Sequence, residues 1–173
     1  MKRRTNGLSR ARAGEGRLKQ NGRSLVICLA IPLAVGAAAS LLTMDGMRAW
    51  AAMPKPPLSP PGWVFPVVWT LLYLLMGLAS WVVTGAAASE DLRQMALSLY
   101  AVQLSANFLW PLLFFGLGRY WLAFAWLLVL LALALAAWDR FRRLDRRAGA
   151  LLVPYVLWLC FAAYLNLGAA ILN

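Results

Sequence analysis

The stretch AGALLVPYVLWLCFAAYLNLGAAIL, residues 148–172, runs for 25 positions without an Asp, Glu, Lys or Arg. A helix rises about 1.5 Å per residue and the hydrocarbon core of a bilayer is roughly 30 Å thick, so about 20 apolar residues reach across it. Working back along the chain, four more apolar segments occupy roughly residues 24–44, 63–84, 94–117 and 121–138, with charged residues only near their ends. The chain is therefore expected to be an all-α integral membrane protein, a bundle of five transmembrane helices built from residues 24–173.

Composition agrees with this reading. Of 173 residues 62% are hydrophobic and only 13% charged, with a mean hydropathy of +0.68. A soluble domain of that size has too much surface to hide so much apolar side chain. Residues 1–23 are polar and basic and lack apolar periodicity, which predicts a disordered cytoplasmic tail. The basic start, the apolar run and Ala37-Ala38-Ala39 resemble a secretory signal, but the run continues through Leu41 and Leu42, so an anchored first helix is expected.

The net charge of +11 is a matter of distribution. The tail, Arg93 and the 139–147 connection hold 14 of the 17 basic residues, and these segments share one side of a five-span protein. The positive-inside rule places the N-terminus in the cytoplasm and the C-terminus outside, as in a bacterial-type inner membrane. The tail offers no aromatic ring for a base to stack on, so no nucleic-acid partner is expected. Cys28 and Cys160 sit in apolar runs as small hydrophobes, and the absence of His removes the commonest metal ligand, so no metal site is expected.

Polar groups inside a span are expensive in hydrocarbon and should turn inward. In the third segment Gln103, Asn107, Trp110 and Phe114 recur at helical spacing along one face; Phe65, Trp69, Tyr73 and Met76 do so in the second, and Tyr155, Trp158, Ala162 and Asn166 in the fifth. Such stripes suit either a ligand pocket or plain interhelical contact, and spacing leaves both open. Trp50, Trp63, Trp121 and Trp138 lie near span ends, where an interfacial aromatic belt accounts for them. The 45–62 connection carries Pro54, Pro56, Pro57, Pro60 and Pro61, which makes it stiff and partly extended, either a lid over the bundle mouth or a Pro-rich turn. The short connection near Gly118–Tyr120 makes the third and fourth spans antiparallel neighbours.

Enzymatic constellations are missing. The six acids lie outside the spans or at their ends, and no nucleophile–base pair or phosphate-binding loop is present, so no catalytic residue is assigned from pattern.

Three stretches carry a family resemblance: KPPLSPPGWVFPVVWTLLYLLMG (residues 55–77), QLSANFLWPLLFFGL (103–117) and LLVPYVLWLCFAAYLN (151–166). In this order and spacing they resemble the translocator protein family, TspO/MBR, also called tryptophan-rich sensory proteins or peripheral-type benzodiazepine receptors. The resemblance covers residues 25–173. It implies a five-helix bundle, usually a homodimer, that binds porphyrins and, in some members, sterols and isoquinolines. Carried over by position, it implies a pocket including Trp50 and Pro60, with Trp69 and Tyr73, then Gln103, Asn107 and Trp110, then Tyr155, Trp158 and Ala162. Phe65 joins these from the same stripe as Trp69. Two departures are visible. Trp126 stands where many members have an acid, and no basic residue follows the fifth span to complete the family's sterol motif.

The expected function is a membrane receptor for porphyrins such as protoporphyrin IX, with no tightly bound cofactor, that regulates tetrapyrrole or pigment metabolism or a stress response. Two other functions are carried beside it: light- and oxygen-dependent porphyrin breakdown with Trp69 and Trp158 as oxidisable partners, and transport of an amphipath. Small-residue pairs at Gly36/Ser40 and Ala101/Ser105 would permit close helix approach in a dimer or within one bundle.

Overall fold

A computed structural model of the chain describes residues 22–173. The elements are α1 (Gly22–Leu42), α2 (Met44–Ala51), α3 (Val64–Thr84), α4 (Glu90–Pro111) continued by a π-helical turn (Leu112–Gly116), α5 (Tyr120–Leu144) and α6 (Arg146–Leu172). Five of these, all but α2, are long and apolar enough to cross a membrane, and the protein is a five-helix bundle. The tail expected to be disordered lies outside the described residues except for Gly22 and Arg23, which already belong to α1.

Two boundaries differ from the sequence expectation for one physical reason. α4 begins at Glu90 rather than near 94, and α5 runs to Leu144 rather than 138. Hydropathy marks where a helix leaves hydrocarbon, whereas its hydrogen bonds continue into the polar zone. In α5 the extra turns are held by Asp139, which accepts from Arg142 Nε at 2.9 Å and from Arg143 Nε at 2.6 Å. A third difference is α2, an eight-residue helix inside a connection expected to be stiff and partly extended. The prolines of that connection all follow α2, so they do not interrupt it.

The spans form a closed ring in the order α1, α3, α6, α5, α4, with α5 and α6 most extensively paired. As the short 118–120 connection predicts, α4 and α5 adjoin. Close approach needs missing side chains. A Cβ on Gly77 would stand 2.6 Å from the carbonyl oxygen of Cys28, so α1 and α3 pack backbone to backbone there. Gly36 belongs inside the bundle, where its bare backbone faces the ring of Tyr73, whereas Ala101 and Ser105 remain on the outer face.

A π-turn follows Pro111, the last residue of α4. Proline has no N–H and its ring crowds the carbonyl four residues back, so the α-helical ladder cannot pass through it unchanged. Beyond Pro111 the chain widens, with Leu117 N donating to Leu112 O at 2.9 Å. The carbonyl of Phe115 then lies against Gly46 of α2, where a Cβ would collide with it.

Candidate ligand cavity beneath the α1–α3 connection

A cavity of about 490 Å³ opens at one end of the ring, walled by α1, α2, α3, α4 and α6 and roofed by the Pro-rich connection. α5 stands outside it. The Trp126 indole, at the position where the resemblance led one to look for an acid, donates to the carbonyl of Ala106 at 2.9 Å and so secures α4 from behind.

Nine of the eleven residues singled out in the sequence line this cavity: Trp50, Pro60, Phe65, Trp69, Tyr73, Asn107, Trp110, Trp158 and Ala162. Gln103 and Tyr155 do not reach its surface. They lie below the floor, where Gln103 Nε2 donates to the Tyr155 hydroxyl at 2.5 Å and Asn107 Nδ2 donates to the same oxygen at 3.0 Å. Tyr73 donates to Asn107 Oδ1 at 3.2 Å. Four side chains from α3, α4 and α6 thus form one connected polar layer, which fixes the three helices relative to one another.

Above that layer the walls are aromatic. Trp69 and Tyr73 lie 5.5 Å apart, centroid to centroid, at 30°, and Phe65 meets Trp158 edge-on at 6.0 Å. On the α4 side Trp110 stacks on Phe114 at 5.3 Å, and Trp50 of α2 meets Phe114 edge-on at 5.0 Å. The π-turn is what brings Phe114 and Phe115 to this wall, a use that such turns often have beside functional sites. Trp110 is held by its indole N–H, which donates to Asn166 Oδ1 at 3.0 Å, while Asn166 Nδ2 donates to the carbonyl of Tyr120 at 2.9 Å.

Pattern reading missed the α1 wall. Gly36, Ala39 and Ser40, with Thr43 just beyond the helix, line the cavity, whereas the spacing of Gly36 and Ser40 points only to close helix approach. Lys55 was also missed. It is the only charged side chain among the described lining residues, stands 5.9 Å from the Trp50 ring, and donates to the carbonyl of Ala51 at 2.7 Å.

The roof is tied down at several points. The Tyr164 hydroxyl donates to the carbonyl of Pro57 at 2.8 Å, Asn173 Nδ2 donates to that of Pro54 at 3.3 Å, and Pro56 packs against Gly168, where a side chain would displace it. Leu58 turns the roof with φ of 64°, a conformation few residues other than glycine adopt, and its side chain is exposed. The connection is therefore a docked lid whose shape is set by its proline rings, two carbonyl hydrogen bonds and the contact of Pro56 with Gly168.

The arrangement has the character of a small-molecule site: concave, mostly apolar, with a few polar groups, and within the roughly 300–1,000 Å³ that such sites span. Among the described residues no group of His, Cys, Asp or Glu is arranged to hold a metal.

Comparison with known proteins accords with this architecture. The sequence model of the TspO/MBR family matches residues 28–172. Tryptophan-rich protein TspO of Chlorobaculum tepidum is 34% identical over 156 residues, which covers 87% of this chain and 96% of that protein. Translocator protein of Ovis aries is 40% identical over 125 residues, covering 70% of this chain and 73% of its own length. Tryptophan-rich sensory protein of Cereibacter sphaeroides is 43% identical over 119 residues, covering 69% and 73%.

Proposed function

The chain is a multi-pass membrane protein of the TspO/MBR family, and from that premise we propose that it is a receptor for porphyrins, binding them in the cavity beneath the α1–α3 connection and regulating tetrapyrrole or pigment metabolism. The observation that carries the reading is a space of about 490 Å³ lined by aromatic rings from three helices, with Trp69 from α3, Trp158 from α6, and Trp110 and Phe114 from α4 and its π-turn. A flat conjugated ring gains from offset aromatic contact in addition to burial. Asn107 offers a polar point on the floor, and Lys55 at the roof suits a carboxylate, so an apolar disc with acidic substituents is matched at both levels.

The basic residues supply the orientation. The N-terminus faces the cytoplasm of a bacterial-type inner membrane and the lidded end faces outward, so ligand enters from the outer side. A homodimer is part of the reading, with the exposed Ala101/Ser105 face available for close approach.

The experiment is titration of purified protein with protoporphyrin IX, following tryptophan fluorescence. Quenching that saturates at micromolar porphyrin supports the receptor; fluorescence unchanged across that range removes it.

One observation favours a second reading. Trp69 and Trp158 both line the cavity, so oxidisable indoles would lie beside a bound photosensitiser. In that reading illumination with dioxygen as oxidant breaks the porphyrin down. Porphyrin absorbance lost no faster than with the Trp69→Phe, Trp158→Phe protein would dismiss it.

A further inference from the structure

At the end of the bundle opposite the lid, a second cleft of about 540 Å³ lies on the outer face where α5 hands over to α6. It is lined by Trp138, Arg142, Arg143, Arg146, Ala150 and Val153, with Gly149 at its base. Its composition is layered. Ala150 and Val153 are exposed and apolar, and lie within the span of α6. Trp138 stands above them with the Arg142 guanidinium 4.5 Å over its ring. Arg143 and Arg146 are exposed at the top.

The charge there is unbalanced. Residues 139–147 hold five arginines and two aspartates. Both carboxylates are already engaged: Asp139 accepts from Arg142 and Arg143, and Asp145 accepts from the backbone N–H of Arg147 at 2.7 Å in capping α6. Arg143 spends only its Nε on Asp139, and Arg146 has no carboxylate partner among the described residues. The unused guanidinium N–H groups form the planar donor set that binds phosphate oxygens in pairs.

We infer that this cleft is a binding site for an anionic phospholipid, whose phosphate is held by Arg143 and Arg146, whose interfacial region lies on Trp138, and whose acyl chain runs along Ala150 and Val153. The layering favours a lipid over free phosphate, because a soluble anion has no use for an apolar wall below an aromatic one. Basic clefts between transmembrane helices at the headgroup level recognise anionic lipids on this principle. Close packing builds the site: a Cβ on Gly149 would stand 2.8 Å from the Cα of Arg142, so the two helices meet backbone to backbone at the base of the cleft. The inference does not depend on the porphyrin reading, since the two cavities share no residue.

The test is native mass spectrometry of detergent-solubilised protein offered phosphatidylglycerol and phosphatidylcholine with identical acyl chains. Retention of phosphatidylglycerol over phosphatidylcholine is expected, with a loss of about fivefold in that preference for each of Arg143→Gln and Arg146→Gln. Arg119→Gln, at the other end of the bundle, should leave it unchanged. Ala150→Phe fills the apolar wall without altering charge and should also reduce retention. Each variant is checked by its thermal unfolding, and Arg143→Lys, which keeps the charge and loses the fork, supplies a milder variant with an intermediate preference. Equal retention of the two lipids overturns the site. Phosphatidylglycerol retention that is undiminished by Ala150→Phe overturns the cleft in favour of diffuse attraction. Displacement of lipid by equimolar glycerol phosphate, which has no acyl chain, overturns the lipid in favour of a free-phosphate site.

Discussion

Tyr73 on α3 donates its hydroxyl to Asn107 on α4 at 3.2 Å, and the ring that carries this hydroxyl fills the space left by Gly36 on α1. One side chain thereby sets the spacing of three helices at the floor of the cavity. Because Asn107 also donates to Tyr155, the floor is continuous with α6.

Gly36→Ala tests this spacing. The new methyl would occupy part of the Tyr73 ring's volume, so either the ring or α1 must move. Overpacking of this kind costs roughly 1–3 kcal/mol. A lowered thermal midpoint in detergent, together with weaker porphyrin binding, is expected; unchanged values in both would show that α1 yields freely.

Trp69→Ala should weaken porphyrin binding by roughly two- to tenfold beyond the loss of buried area, as one aromatic contact is removed. Because Trp69 is itself a fluorophore, the measurement is the shift of the porphyrin absorption band. An unshifted titration curve would place the ligand elsewhere.

Asn166→Leu removes the acceptor of the Trp110 indole N–H and the donor to the Tyr120 carbonyl together. A buried donor left without a partner costs about 1–3 kcal/mol. The thermal midpoint should fall by more than for Tyr164→Phe, whose bond lies at an exposed position. The reverse order in a calorimetric comparison would contradict the assignment.

Tyr164→Phe unties the lid from α6 at Pro57 while leaving the cavity wall intact. Stopped-flow mixing with porphyrin should show association and dissociation both faster, with a smaller change in affinity. Rates equal to those of the unaltered protein would mean that Pro56 on Gly168 and Asn173 on Pro54 hold the lid without it.

Much of the site was legible because helical periodicity is a local property. Trp69 and Tyr73, Asn107 and Trp110, and Trp158 and Ala162 each share a helix face by their spacing alone. What spacing could not say is depth. Gln103 is one turn from Asn107 on the same face, yet it lies under the floor while Asn107 lines the cavity. Trp126 likewise showed no role in the sequence and serves to hold the back of α4.

The number of spans followed from the sequence alone, since water and hydrocarbon sort an apolar run of about 20 residues without reference to any neighbour. The ring order, the α1 wall and the seating of α2 against the π-turn needed the tertiary structure. Those features depend on how closely helices approach, backbone to backbone at Gly46, Gly77 and Gly149 and backbone to the Tyr73 ring at Gly36, and that distance is a property of pairs of helices rather than of any one segment.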